Sequence, residues 1–169
     1  DIDNFIDFHL NNLGISRYKK FDYFFSKILK IEDYNNIYQK TIKDFSDQMK
    51  IYLKKCEITE NLYDLRKKYK NKWIVISGSD HDELNYLFKL RNIDNFFDGG
   101  IYGSPKTKYE IFKKLEKKNL INNNSIYFGD SKSDYLFSQN VSIDFAFIYD
   151  WTSQNEWKLF CKKNNINYF

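Results

Sequence analysis

The sequence predicts an α/β fold: a parallel, doubly wound, Rossmann-like sheet preceded by an N-terminal run of helices. Three observations lead there. Apolar residues recur at three- and four-residue steps up to about residue 70. From residue 72 onward, short β-favouring runs alternate with helical patterns. The polar residues that end those runs, Ser77, Lys106 with Lys108, and Asp130 with Asp134, fall at equivalent places in that alternation. A strand–helix succession of this kind implies parallel strands with helices on both faces.

Before residue 72 only helices are expected: Asn4 to Leu13, ending near Gly14, then Ser16 to Lys30, Asp33 to Lys54, and Thr59 to Tyr69. The third carries a stripe of Tyr34, Ile37, Tyr38, Thr41, Ile42, Phe45, Met49, Tyr52 and Leu53, a greasy face that needs a partner. In the second half, Trp73 to Ser77 reads as a short apolar strand, and Asp80 with Glu83 as a capping box opening a helix through Leu84, Leu87 and Phe88. Gly100 to Tyr102 is a second strand; Ser104 then caps a helix that has Pro105 at its first position and runs through Ile111, Phe112 and Leu115. Ser125 to Phe128 is a third strand, Gly129 allows a sharp turn, and Ser131 caps a helix to about Asn140. Asp144 to Tyr149 follows as a strand, Ser153 and Glu156 form a further capping box for a helix to about Lys163, and Ile166 to Phe169 supplies an edge strand. The expected division is a helical segment over residues 1–58 and an α/β core over 59–169.

Bulk composition narrows the class. A chain of 169 residues with 42% hydrophobic and 20% aromatic content can bury one core, or one core and a small appendage. Its charge balance, 27 − 23 = +4, is a mild excess. The lysine-rich stretches Arg66 to Lys70 and Lys113 to Lys118 lie within helical patterns as solvated faces, so no nucleic-acid surface is expected. Cys56 and Cys161 are far apart and have no CxxC neighbour, which points to reduced thiols rather than a disulfide framework or a zinc site. With no membrane span or signal-peptide pattern, a soluble, cytoplasmic protein is expected. Oligomeric state is not predicted.

The polar punctuation carries the chemistry. Ser77 follows Trp73-Ile74-Val75-Ile76, and Gly78 lets the backbone approach a ligand. If the strands are neighbours in one sheet, a hydroxyl, an ammonium and two carboxylates converge at its carboxyl edge, where open α/β sheets bind ligands. A hydroxyl and a backbone amide suit phosphate oxygens, a lysine neutralises charge, and paired carboxylates hold Mg²⁺. Two carboxylates ~4 Å apart repel by about 4 kcal/mol at an effective dielectric of 20, so Asp130 and Asp134 require a cation or Lys108 beside them.

Ile74-Val75-Ile76-Ser77-Gly78, then Gly103-Ser104-Pro105 with Lys106 and Lys108, then Phe128-Gly129-Asp130-Ser131-Lys132-Ser133-Asp134, in that order and context, resemble motifs two, three and four of the haloacid dehalogenase (HAD) superfamily. The helical run from residue 4 to about 55 is similar to the cap of its phosphoglycolate phosphatase and β-phosphoglucomutase-type members. The resemblance implies a HAD core with an N-terminal helical cap, and a Mg²⁺-dependent phosphatase acting on a small phosphorylated metabolite through an aspartyl-phosphate intermediate. It implies that Ser77, with Gly78, binds the transferred phosphoryl group, and that Lys108, or else Lys106, steadies nucleophile and phosphate. Asp130 would ligate Mg²⁺, and Asp134 would support the metal or orient its ligands.

Motif one departs from this pattern. The family's nucleophile lies in a DxD sequence at a strand end, whereas Asp1-Ile2-Asp3-Asn4-Phe5-Ile6-Asp7 also reads as a helix start with Asp3 as cap. The expectation is that Asp1 and Asp3 are surface carboxylates, that the chain begins inside the cap, and that it lacks covalent phosphatase activity. The alternative is a non-catalytic binding or regulatory module on the same fold.

Overall fold

A computed structural model describes all residues, 1–169. In chain order the elements are α1 (Ile2–Asn11), α2 (Arg17–Tyr23), α3 (Asn35–Leu53), α4 (Leu62–Lys68), β1 (Val75–Asp80), α5 (His81–Leu90), β2 (Ile101–Ser104), α6 (Lys108–Glu116), β3 (Ile126–Gly129), α7 (Lys132–Asn140), β4 (Asp144–Phe147), α8 (Trp157–Lys163) and β5 (Asn167–Tyr168). The strands are parallel, as the strand–helix alternation predicts. They form two compact units: Ser16–Thr107 in one, and Asp1–Ile15 with Lys108–Phe169 in the other.

In the first unit, β1 and β2 pair with Val75 opposite Ile101 and Ile76 opposite Tyr102. β1 starts at Val75 because Trp73 is otherwise engaged: its N–H donates to the Asp98 carboxylate at 2.9 Å, and the Arg66 guanidinium lies 5.2 Å from its ring centre. Of the predicted α3 stripe, Ile42 is buried, whereas Ile37 and Tyr52 are exposed. Phe25, on the π-helical turn after α2, is buried and stacks on Tyr34 at 5.6 Å between ring centres.

In the second unit the sheet order is β3-β4-β5. Its core holds Phe112, Leu115, Ala146, Phe147 and Cys161, each 1% exposed or less. Phe147, Trp157 and Tyr149 stack in a ladder with ring centres 5.8 and 4.9 Å apart.

Five local expectations are corrected. The strands form two sheets rather than one, and β1 and β3 each have a strand partner on one edge only. Ser104 does not cap a helix: its pairing opposite Asp80 keeps it in β2, and α6 starts at Lys108, leaving Pro105 in the turn. Asp80 accepts from the Glu83 N–H at 2.9 Å, but the Glu83 carboxylate turns to Arg17, so only half of that capping box forms. Ser153 and Glu156 form none. Glu156 precedes α8 with a left-handed φ of 56° and no side-chain cap bond, because the segment before it is drawn to the turn after β3. Finally, Asp1 rather than Asp3 precedes α1.

Candidate functional site

The chemistry-bearing cluster of the second unit forms where β3 meets α7. β3 ends at Gly129, and Ser131 caps α7 by accepting the Asp134 N–H at 3.3 Å. Glycine is required at 129 by closeness rather than by a turn: a Cβ there would lie 2.4 Å from the Asp134 Cβ, inside any real carbon–carbon contact. A strand without a side chain at its last position lets the first turn of α7 bring Asp134 against the strand end.

Asp134 is surrounded by donors. The Lys108 ammonium donates to its Oδ1, the Tyr127 hydroxyl donates to the same oxygen at 3.1 Å, and the Ser131 hydroxyl donates to Oδ2 at 2.6 Å. Burial alone would raise the carboxyl pKa, but the Lys108 charge and the three hydrogen bonds hold it below the usual carboxylate range. Asp130 lies at the exposed rim. Protein around its carboxyl still strips enough water, with the Asp134 charge beside it, to push its pKa up. The turn is held from outside by the Thr152 hydroxyl, which donates to the Asp130 carbonyl at 2.5 Å, and by the Gln154 side-chain oxygen, which accepts the Lys132 N–H at 2.7 Å.

The donor set suits a hard cation in a limited way. No group of three or more His, Cys, Asp or Glu side chains comes together. Mg²⁺ is commonly held by one or two carboxylates with waters and substrate phosphate completing the shell. Asp130 fits that role: it is exposed at the rim, and loss of water together with the neighbouring Asp134 charge raises its pKa, which a cation would offset. Asp134 has both oxygens committed to protein donors, so it fits behind the cation rather than as a full ligand.

Lys108, Asp130 and Asp134 are thus brought together. Lys106 is exposed in the turn before α6. Ser77 and Gly78 lie on β1 of the other unit, both half-buried. There the Ser77 hydroxyl oxygen accepts the Ser79 N–H at 3.1 Å, leaving its own proton to donate. Just beyond it, Asp80 receives the Tyr18 hydroxyl at 2.6 Å, and Glu83 receives Arg17 at 2.6 Å. Asp1 and Asp3 sit exposed at the start of α1, on a helix rather than at a strand end.

Sequence reasoning missed Tyr127 and Thr152. Tyr127 had one available signal: a hydroxyl-bearing ring two residues before the Gly129-Asp130 pair. Thr152 had none, since its contact spans 22 residues.

Parallel strands alternating with helices, with a lysine and an acid pair at one strand end, define an α/β domain with a polar cluster at a strand's carboxyl end. The chain belongs to the haloacid dehalogenase-like hydrolase family, whose model matches residues 6–148. A solved structure from Clostridium difficile, described as a candidate phosphatase, is similar at a TM-score of 0.59 and 22% identity, over 94% of this chain and 74% of that one. At that identity the likeness shows the fold. No curated protein matches the chain. No helix is long and apolar enough to cross a membrane.

Proposed function

We propose that this chain carries the phosphate- and cation-handling residues of a Mg²⁺-dependent phosphatase acting on a small phosphorylated metabolite. The observation that carries this reading is the Lys108–Asp134 pair at the strand end, beside an exposed rim carboxylate, Asp130. Lys108 has three N–H donors and gives one to Asp134; the others are suited to phosphoryl oxygens. Asp134 fixes the ammonium in place, and Asp130 holds the cation. Bound Mg²⁺ would neutralise phosphate charge as a Lewis acid. Ser77 is proposed to donate its hydroxyl proton to a phosphoryl oxygen, with Gly78 allowing close backbone approach. The helical segment over 1–58 is proposed as a cap and 59–169 as the core. An aspartyl-phosphate intermediate is the family's chemistry; no residue of this chain is assigned as the nucleophile, because Asp1, just before α1, and Asp3, within it, are exposed and not at a strand end.

The test is calorimetric titration of inorganic phosphate into the chain with and without Mg²⁺. Binding that requires Mg²⁺ and falls in Asp130→Asn and Lys108→Ala supports the reading; binding indifferent to both substitutions sinks it. Turnover of p-nitrophenyl phosphate that disappears in Asp1→Asn or Asp3→Asn would restore the opening aspartates as catalytic. A non-catalytic binding module is the reading left if phosphate binds and neither result appears.

A further inference from the structure

We propose that Tyr127 is a positioning residue of this centre, its hydroxyl and ring together holding the Lys108 ammonium and the Asp134 carboxylate in one fixed arrangement. The proposal relies on the phosphatase reading for what Lys108 binds, not for the clamp itself.

Tyr127 stands in β3, two residues before the glycine that closes the strand. Its ring meets the buried Phe137 edge-on at 5.0 Å between centres and lies nearly parallel to Phe145 at 6.4 Å. Swinging it away would forfeit both aromatic contacts, so its direction is set by the core. From there the hydroxyl reaches Asp134 Oδ1, the oxygen that also accepts from Lys108. The Lys108 ammonium lies 5.7 Å from the centre of the same ring, within the range of a cation–π attraction. One side chain therefore touches both partners of the pair, the carboxylate by its edge and the ammonium by its face. The rings it meets are both phenylalanine, Phe137 and Phe145, which in turn meet Phe112 and Phe147. A hydroxyl introduced into such a wall is costly unless it is bonded. Burial, followed by the Asp134 charge, pushes the Tyr127 phenol well up, so it remains a donor throughout the working range.

With Ser131 bonded to Oδ2 and Tyr127 to Oδ1, the carboxylate plane is held by donors other than Lys108. The lysine is then free to keep its other donors aimed at an anion. Tyr127→Phe separates this role from packing, because the ring and its aromatic neighbours stay while the hydroxyl goes.

The experiment is an NMR measurement of lysine ammonium groups in the ¹⁵N-lysine-labelled full chain, with the Lys108 signal assigned through Lys108→Arg. Such signals are seen where salt bridging slows exchange with water. In folded Tyr127→Phe the Lys108 protons should exchange about tenfold faster or more, the equivalent of one lost hydrogen bond to a charged group. An unchanged Lys108 signal in a folded Tyr127→Phe protein overturns the proposal, whatever the protein binds. If the substitution unfolds the chain, the wild type supplies the answer. A slowly exchanging, downfield Tyr127 hydroxyl proton supports the clamp, and its absence overturns it. A wild type that binds no phosphate while its Lys108 signal still depends on Tyr127 refutes the phosphatase reading and leaves the clamp standing.

Discussion

Lys108–Asp134 and Arg17–Glu83 each set a cation against a carboxylate largely out of water, with side-chain exposures of 15% and 6% in the first pair and 10% and 3% in the second. Around Asp134, neutral donors from Tyr127 and Ser131 fill the remaining acceptor sites. Around Glu83 they do not: Oε2 takes Arg17, and Oε1 is buried with no partner. Arg17 is itself tied down by Ser46 at 3.1 Å and by the Phe45 ring at 4.9 Å. Without its cation the first carboxylate would keep two neutral donors, and the second would keep none. A buried ion pair alone therefore does not mark a site. What marks one is a cation the carboxylate can spare, and Lys108 is in that position.

The largest expected effect is on the dependent pair. Arg17→Ala should destabilise the chain by about 3–5 kcal/mol by leaving Glu83 uncompensated, read as a shifted urea midpoint. Replacing both partners, Arg17→Met with Glu83→Leu, should restore most of that loss. A mild single-mutant effect would break the comparison. Lys108→Ala should cost less, about 1–3 kcal/mol, because Tyr127 and Ser131 still serve Asp134, while phosphate affinity drops by about tenfold or more. Equal losses of stability at Lys108 and Arg17 would erase the difference between the two pairs.

The smallest effect concerns Asp130 and has the opposite sign. A carboxyl whose folded pKa is raised contributes stability below the ordinary carboxylate value of about 3.9, and that contribution is lost as pH rises through the raised value. Asp134, held low, contributes stability above about 3.9 that is lost as pH falls through its folded value. At neutral pH and without metal, Asp130→Asn should therefore stabilise the chain slightly, by at most about 1 kcal/mol after solvent screening at this exposed rim, read as a raised melting midpoint. A lowered midpoint would show that Asp130 is already compensated.

The parallel strand–helix order and the turn from Gly129 to Asp134 were legible because both are local: hydrophobic period, a capping serine, and carboxylates four residues apart. Glu83 shows where local reasoning stops. Three residues after Asp80 it reads as a capping-box acid, but a guanidinium 66 residues away outcompetes the backbone N–H for its carboxylate. Ser104 fails in a similar way, since a strand partner at Asp80 overrides its turn chemistry. Tyr127 was hidden for a different reason. In a β-favouring run an aromatic residue is explained by packing, and nothing in the run says that its hydroxyl has a carboxylate to meet.

β3 has a strand neighbour on one edge only, and Ile126 and Phe128, alternate residues on one of its faces, are 51% and 58% exposed. A strand edge without a strand partner, flanked by exposed apolar side chains, is a template for any other extended segment. Four residues of backbone at the root of the site therefore offer a second chain a place to add a strand. A charged residue at position 126 or 128 is the economical way to keep the protein dispersed for every measurement above.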